Sequence, residues 1–252
     1  MRYILAKRHA SILAAFASAN VLTAFDYDGT LAPIAPDPAS APMRRRTRQL
    51  LDTLAAYYPC VVISGRRRAD LARCLTGVRI SHLAGNHGAE PWGRNAEHAA
   101  QVRQWRSQLE QQLSRFAGVV IEDKKYTLTI HFRHASERPA AITAIDRAIR
   151  TLRGVRTMAG KETVNLLPRG AVDKGDALQR ARRLLRCERV IYVGDDDTDE
   201  AAFAHTREGW MVGVRIGVRR RSSAPYHLKN QNEVDTFLDR LIRLRRAHRN
   251  GH

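Results

Sequence analysis

Residues 22–31 read LTAFDYDGTL. An apolar run stops at two carboxylates one residue apart, Asp26 and Asp28, and a Gly-Thr turn follows. Like charges this close repel, and the end of a buried strand is a poor place for bare anions. A cation that draws both carboxylates inward removes the penalty, and Mg2+ is the usual hard cation for oxygen ligands. A second acidic knot, GDDDTDE at 194–200, also follows an apolar run, VIYV. Two acidic clusters, each at the carboxyl end of a predicted strand, govern the reading of the rest of the chain.

Outward from the first cluster, strand and helix signals alternate. VLTAFDYD (21–28) reads as a buried strand, followed by a loop in which Pro33, Pro36, Pro38 and Pro42 block regular structure. Residues 43–57 carry Leu50, Leu51, Leu54 and Ala55 on one helical face. CVVISG (60–65) reads as a second buried strand, 67–75 as a helix, and ISHLAGNHG (80–88) as a third strand with a glycine turn. Such alternation implies a doubly wound parallel sheet, a Rossmann-like α/β core with helices on both faces.

The middle has a different rhythm. Residues 97–116 place Val102, Trp105, Leu109, Leu113 and Phe116 on one stripe of a long helix. VVIED and YTLTIHF follow, and in the latter Thr127, Thr129 and His131 alternate with Leu128, Ile130 and Phe132, the period of a half-exposed strand. A helix over 137–152 and the strand pair RTMAG and ETVNLLP complete the pattern. Helix, hairpin, helix, hairpin describes a small antiparallel sheet with one face covered. Residues 91–168 therefore read as an inserted α/β cap, and 1–90 with 169–252 as the core. Strand–helix alternation then resumes, with helices over 175–186 and 198–206, strands over 190–196 and 210–217, and an amphipathic helix over 232–248.

Composition narrows the class. The chain has 252 residues, enough for one large domain or two small ones. Cys60, Cys74 and Cys187 are too few and too scattered for a disulfide framework or a zinc site, so they read as free thiols of a reducing, cytoplasmic compartment. The net charge of +18 is nearly all arginine, with only six lysines. Clusters such as Arg219-Arg220-Arg221 lack the interleaved aromatics on which bases stack, so no nucleic-acid partner is expected. A positive field does help collect a small anionic substrate. No run approaches a transmembrane length, so no membrane partner is expected either. Residues 6–18, which begin basic and turn apolar, read as a surface helix rather than a signal peptide.

In an open parallel sheet, ligands bind beyond the carboxyl ends of the strands. Asp26 and Asp28, Ser64, Lys174, and Asp195 and Asp196 fall there or at nearby helix starts. Singly, each has a plainer reading as a turn, a cap or a solvated side chain. In this order and context they compose a phosphoryl-transfer set. One carboxylate attacks and another moves protons. A hydroxyl and an ammonium hold the transferring oxygens, and a further aspartate helps hold Mg2+.

At this point the chain resembles the haloacid dehalogenase superfamily of phosphatases, in the group with a cap between the second and third motifs. More narrowly it resembles the trehalose-6-phosphate phosphatase family. DYDGTLAPI, VVISGR, LAGNHGAE, EDKKYTLTIHFR, PRGAVDKGDAL and GDDDTDEAAF carry the resemblance, which covers roughly 20–245. It implies Asp26 as nucleophile and Mg2+ ligand, and Asp28 as general acid/base that also offers its backbone carbonyl to the metal. It implies Ser64 and Lys174, with Arg66 nearby, as holders of the phosphoryl group. Asp195 is implied as a direct Mg2+ ligand, with Asp196 supporting it and Asp199 beyond. Asn86, His87 and Gly88 are implied to face the substrate, and Lys124, His131, Arg133 and Lys161 to reach it from the cap.

One position departs from the family pattern, which has glutamate in the last cap strand, as in V-x-E-x-x-P. Here TVNLLP puts Asn165 there. That glutamate is expected to accept hydrogen bonds from sugar hydroxyls, whereas an amide accepts and donates without charge. The resemblance thus implies a Mg2+-dependent phosphatase of trehalose 6-phosphate, compatible with functional pairing with a separate trehalose-6-phosphate synthase. A phosphatase of another sugar phosphate, such as a glycosyl-phosphoglycerate, and a nucleic-acid-binding protein on a phosphatase scaffold are the alternatives.

Overall fold

The computed structural model describes residues 1–34, 42–92, 96–160, 162–207 and 209–250. Pro36 and Pro38 of the expected loop, and Lys161, lie outside the described residues. The chain divides into two compact units, Met1–Gly88 with Asp173–His252, and Ala89–Val172.

In the first unit, β1 (Arg2–Tyr3) precedes α1 (Ala10–Ala17), β2 (Val21–Phe25), α2 (Arg45–Ala55), β3 (Cys60–Ile63), α3 (Arg68–Cys74) and β4 (His82–Ala84). The second unit holds the short α4 (Ala89–Trp92), α5 (Ala96–Leu113), β5 (Val120–Asp123), β6 (Leu128–His131), α6 (Arg138–Arg150), β7 (Val155–Gly160) and β8 (Thr163–Pro168). The first unit resumes with α7 (Lys174–Leu184), β9 (Arg189–Gly194), α8 (Glu200–Phe203), β10 (Met211–Ile216), β11 (Tyr226–Leu228) and α9 (Glu233–Asn250).

Seven strands form one sheet in the order β1-β11-β10-β9-β2-β3-β4, and every pairing is parallel. Both faces are apolar, because strands of a parallel sheet are buried on both sides. Val21, Phe25, Val62, Ile191 and Val193 join Leu13, Leu51, Leu54, Phe237 and Leu241 from the helices in one core. The alternate residues Leu22, Ala24, Val61, Val190 and Tyr192 are equally buried, and Tyr192 packs edge-on against Phe203 of α8 with centroids 5.6 Å apart. From β2 the chain steps outward on one side through β3 and β4, while β9, β10 and β11 extend the other side. The carboxyl ends of β2 and β9 are therefore a topological switch point, where open α/β sheets leave a crevice.

Several predicted elements are shorter than expected. The strand around Asp26 ends at Phe25, and the helix expected over 198–206 is a 3-10 turn, Asp197–Asp199, followed by α8. Residues 10–17 are not a bare surface helix, because Leu13, Phe16 and Ala17 are buried. Arg245 of α9 donates to the carbonyls of Ala17, Ser18 and Ala19 just past its end. Strands β1 and β11 had no sequence signal of their own, being three residues or fewer. Cys60 and Cys187 are buried, and Cys74 is partly exposed. Among the described residues no helix is long and apolar enough to cross a membrane.

The second unit is a four-stranded antiparallel sheet in the order β5-β6-β8-β7. Leu128, Ile130 and Leu166 from its strands pack with Trp105, Leu109, Ile145 and Ala148 from α5 and α6. The opposite face carries Glu122, Thr129, Asn165 and Met158 in a single cross-strand row, since each is the register partner of the next.

Candidate active site

The carboxyl end of β2 delivers Asp26. Its N–H donates to Val193 O at 2.9 Å, so the ladder with β9 continues one residue past the strand. The chain then turns tightly, with Ala32 N–H donating to Tyr27 O at 2.9 Å and Gly29 N–H to Ala32 O at 2.8 Å. Gly29 has φ +79°, and a Cβ there would lie 2.1 Å from the Asp195 carboxylate. Glycine is thus required twice, for its left-handed backbone and for the approach of the second acidic cluster.

Lys174 opens α7, positioned by a capping box in which the Asp173 side chain accepts from Gly175 and Asp176 N–H. Its side chain is 2% exposed, and its Nζ lies 3.0 Å from Asp26 Oδ1 and 2.8 Å from Asp199 Oδ1. Burial would lower the Lys174 pKa, but the Asp199 and Asp26 carboxylates outweigh it and hold the ammonium well above its ordinary value. Burial pushes Asp26 well above the usual carboxylate range. Lys174 opposes that rise, and Asp199, Asp195 and Asp28 add to it.

The sequence reading set Asp199 beyond the cluster; the fold puts it at the centre. Its Oδ1 accepts from Lys174 Nζ and from Tyr192 O–H at 2.6 Å. Its Oδ2 accepts from the N–H groups of Asp195 and Asp196, each at 2.9 Å. The 3-10 turn after β9 folds residue 199 back onto 195 and 196, and the four-residue spacing in GDDDTDE was the available signal. Among the described residues, Asp26, Asp195 and Asp199 offer carboxylate oxygens within 4.8 Å of one another. An all-oxygen donor set with crowded negative charge fits a hard divalent cation. With four hydrogen bonds already on Asp199, Asp26 and Asp195 are the carboxylates suited to ligate it directly. The Asp28 and Asp196 carboxylates fall outside that group. Asp196 donates its N–H to Asp199, and Asp28 holds another partner.

That partner is Arg66. Its guanidinium donates through Nε to Asp28 Oδ2 at 2.8 Å and through an Nη to Oδ1 at 2.6 Å, a two-pronged fork over the Tyr27 ring. Ser64 lies just past β3, fully buried, and its Oγ accepts from Arg66 N–H at 3.2 Å. Asn86, His87 and Gly88 run through positive φ values of 58°, 56° and 108°. The run is pinned by Asn86 N–H to Arg66 O at 2.6 Å and His87 N–H to Ser64 O at 2.9 Å. A Cβ on Gly65 would lie 2.6 Å from the His87 ring, so the imidazole packs over the Ser-Gly turn. Strained left-handed residues in sequence cluster where a ligand must be met closely.

Arg215 of β10 carried no sequence signal beyond its place in an apolar strand. Its side chain, 7% exposed, donates to the carbonyls of Asp195 and Asp196 at 2.7 and 3.0 Å and to Glu200 Oε1 at 2.8 Å.

In the second unit, Glu122 holds two of the expected cap residues. His131 Nε2 lies 2.9 Å from Glu122 Oε2, and Lys124 Nζ lies 3.4 Å from it. Burial would raise the Glu122 pKa, but the His131 hydrogen bond and the Lys124 charge hold it below its ordinary value. Arg133 donates through Nε to Glu162 Oε2 at 2.7 Å. Asn165 is 5% exposed and accepts from Thr129 Oγ1 at 2.9 Å. Glu122 was missed in the sequence reading, although strand alternation puts it on the face of Thr129 and His131.

The family model described as Trehalose-phosphatase matches residues 24–235. Trehalose-phosphate phosphatase B of Arabidopsis thaliana is 28% identical over 247 residues, covering 88% of this chain and 66% of that protein. Trehalose-phosphate phosphatase of Mycobacterium avium is 34% identical over 238 residues, covering 86% and 61%. The chain thus spans less than two thirds of the length of these relatives. The solved C-terminal domain of C. albicans trehalose-6-phosphate phosphatase shares the fold at TM-score 0.77 and 22% identity, covering 92% of this chain and 96% of that one. With a family match that takes in both acidic clusters and the whole cap between them, the chain belongs to the trehalose-phosphatase family.

Proposed function

We propose that the protein is a cytoplasmic phosphomonoesterase that hydrolyses trehalose 6-phosphate to trehalose and phosphate, using Mg2+ and a covalent aspartyl phosphate. The observation that carries this reading is the buried set of Asp26, Lys174 and Asp199 beside Asp195. It keeps one carboxylate near a fixed cation at the mouth of a parallel sheet, which suits a nucleophile.

Asp26 Oδ attacks phosphorus as the bond to the sugar oxygen breaks, and Asp28 gives its proton to that leaving oxygen. A water molecule then attacks the aspartyl phosphate, Asp28 takes the proton from it, and phosphate departs with Asp26 regenerated. Lys174 and Ser64 hold the phosphoryl oxygens. Asp26, Asp195 and the Asp28 carbonyl would hold Mg2+, with Asp196 supporting from one bond further out. The metal supplies charge neutralisation for the transferring group. The two-pronged Arg66 fork fixes the orientation of the Asp28 side chain. In the core unit Asn86, His87 and Gly88, and in the cap unit Lys124, His131, Arg133 and Asn165, are the residues assigned to substrate recognition on this reading.

Phosphate release with Mg2+ across a panel of sugar phosphates tests the reading, with trehalose 6-phosphate expected to be preferred. Asp26→Asn is expected to lower turnover by about 10^4-fold or more, because an amide forms no acyl phosphate. Wild-type rates from that variant would sink the mechanism. A clear preference for a glycosyl-phosphoglycerate, for which the uncharged Asn165 leaves room, would replace the substrate and keep the chemistry.

A further inference from the structure

Asp195 must present its carboxylate toward Asp26, yet it stands on a loop with no helix or strand to hold it. Its backbone is clamped from both sides. On one side, Asp199 Oδ2 accepts from the N–H groups of Asp195 and Asp196. On the other, Arg215 donates to the carbonyls of the same two residues. The peptide planes before and after Asp195 are therefore both fixed, which fixes its Cα–Cβ direction. Only the side-chain torsions stay adjustable, and the contact with Gly29 narrows those.

Arg215 is itself anchored. It stands opposite Gly194 in the β9–β10 register, and a Cβ on Gly194 would lie 2.4 Å from the Asp199 carboxylate, so glycine there leaves room for the other half of the clamp. Glu200 Oε1 accepts from it at 2.8 Å, while Glu200 Oε2 accepts from Ser223 N–H at 2.8 Å. Asp197 Oδ1 lies 3.7 Å away. A buried planar fork spanning two successive carbonyls is a task lysine cannot perform, since an ammonium is a compact point charge.

We propose that Arg215 is a positioning residue of the metal site, which sets the affinity for Mg2+ by locking the two peptide planes that aim Asp195. The proposal rests on the Mg2+ reading given above. Groups one bond removed from metal ligands commonly govern affinity by about 10- to 100-fold.

Charge and geometry predict opposite signs, which makes the test sharp. Removing a cation beside an acidic site strengthens Mg2+ binding if charge alone matters. Loss of positioning weakens it. Calorimetric titration of Mg2+ into wild type, Arg215→Lys and Arg215→Met is expected to show about tenfold or greater weakening in both variants. Thermal melts by circular dichroism check that each is folded. Should both arginine variants fail to fold, Glu200→Gln loosens the same anchor, with a weakening of about threefold expected. Raising Mg2+ is expected to restore much of the lost phosphate release, which a general packing defect would not allow. A folded variant that binds Mg2+ as tightly as wild type, or more tightly, overturns the proposal and leaves the phosphatase reading intact. A wild-type protein that hydrolyses sugar phosphates but binds no Mg2+ overturns the metal reading and the proposal together, and spares the substrate assignment.

Discussion

In the core unit the side chains of Lys174, Asp26 and Asp199 are 2%, 6% and 0% exposed, and each charge meets its partner inside the protein. In the cap unit Glu122, His131, Arg133 and Glu162 are 30–43% exposed and pair across a sheet face. The difference is one of dielectric. Buried charges must be paired and hydrogen-bonded or they unfold the protein, so a buried cluster is fixed in position. Half-exposed pairs are worth little to stability, so a cap face of this kind changes its residues cheaply. Asn165, which stands where the family pattern has glutamate, is not one of these pairs: it is buried and accepts from Thr129 Oγ1. On the proposed reading, the chemistry sits in the first setting and substrate recognition in the second.

Lys174→Met strikes the core side hardest. It strands Asp26 and Asp199 without their cation, and a loss of about 3–5 kcal/mol is expected in urea unfolding. A loss no larger than that of a surface substitution would break the contrast. Tyr192→Phe removes a single buried donor to a charged acceptor, and about 1.5–3 kcal/mol is expected. Turnover is expected to fall with it, since Asp199 also orients Lys174 and the Asp195 loop.

On the proposed reading, protons and metal compete at Asp26. Because its folded pKa is raised, the metal-free native state binds more protons than the unfolded state in the window from the ordinary carboxylate value, about 4, up to the raised value. In that window metal-free stability falls as pH rises. Mg2+ binding there would displace the proton, so the gain in Tm from Mg2+ is expected to grow as pH rises from the ordinary carboxylate value toward the raised one. A constant gain would show that Asp26 does not ligate the metal.

On the cap side, effects should appear in KM rather than in stability. Glu122→Gln weakens the hold on Lys124 and His131, and KM for trehalose 6-phosphate is expected to rise about tenfold, as for a lost charged hydrogen bond. Asn165→Glu is expected to shift KM or the preferred sugar phosphate far more than kcat. Glu122→Gln should melt within a few degrees of wild type, because a ΔΔG of about 1 kcal/mol moves Tm by only ~2–4 °C at this size. Unchanged KM across the sugar-phosphate panel would remove the cap row from recognition.

The strand–helix alternation, the change of rhythm over the middle segment and the two acidic clusters were all legible, because hydrophobic period and residue order are local properties. So were the positions of Asp26, Ser64 and Asp195, each marked by an apolar run ending at a polar residue, and of Lys174 at a helix start. Their company was not legible. Asp199 reads as one acid among five in GDDDTDE, and only the 3-10 turn brings its two oxygens under four donors. Arg215 reads as a stray charge in a strand, and only the register opposite Gly194 shows what it grips. Glu122 reads as one more acid at the end of a short strand until strand pairing puts it in one row with Thr129 and Asn165. The sequence by itself determined which groups lie at strand ends and what chemistry they suit. Tertiary structure alone decided which carboxylate is already saturated, which guanidinium grips the loop of Asp195 and which acid stands in the cross-strand row of the second unit, because those depend on contacts between residues far apart in the chain.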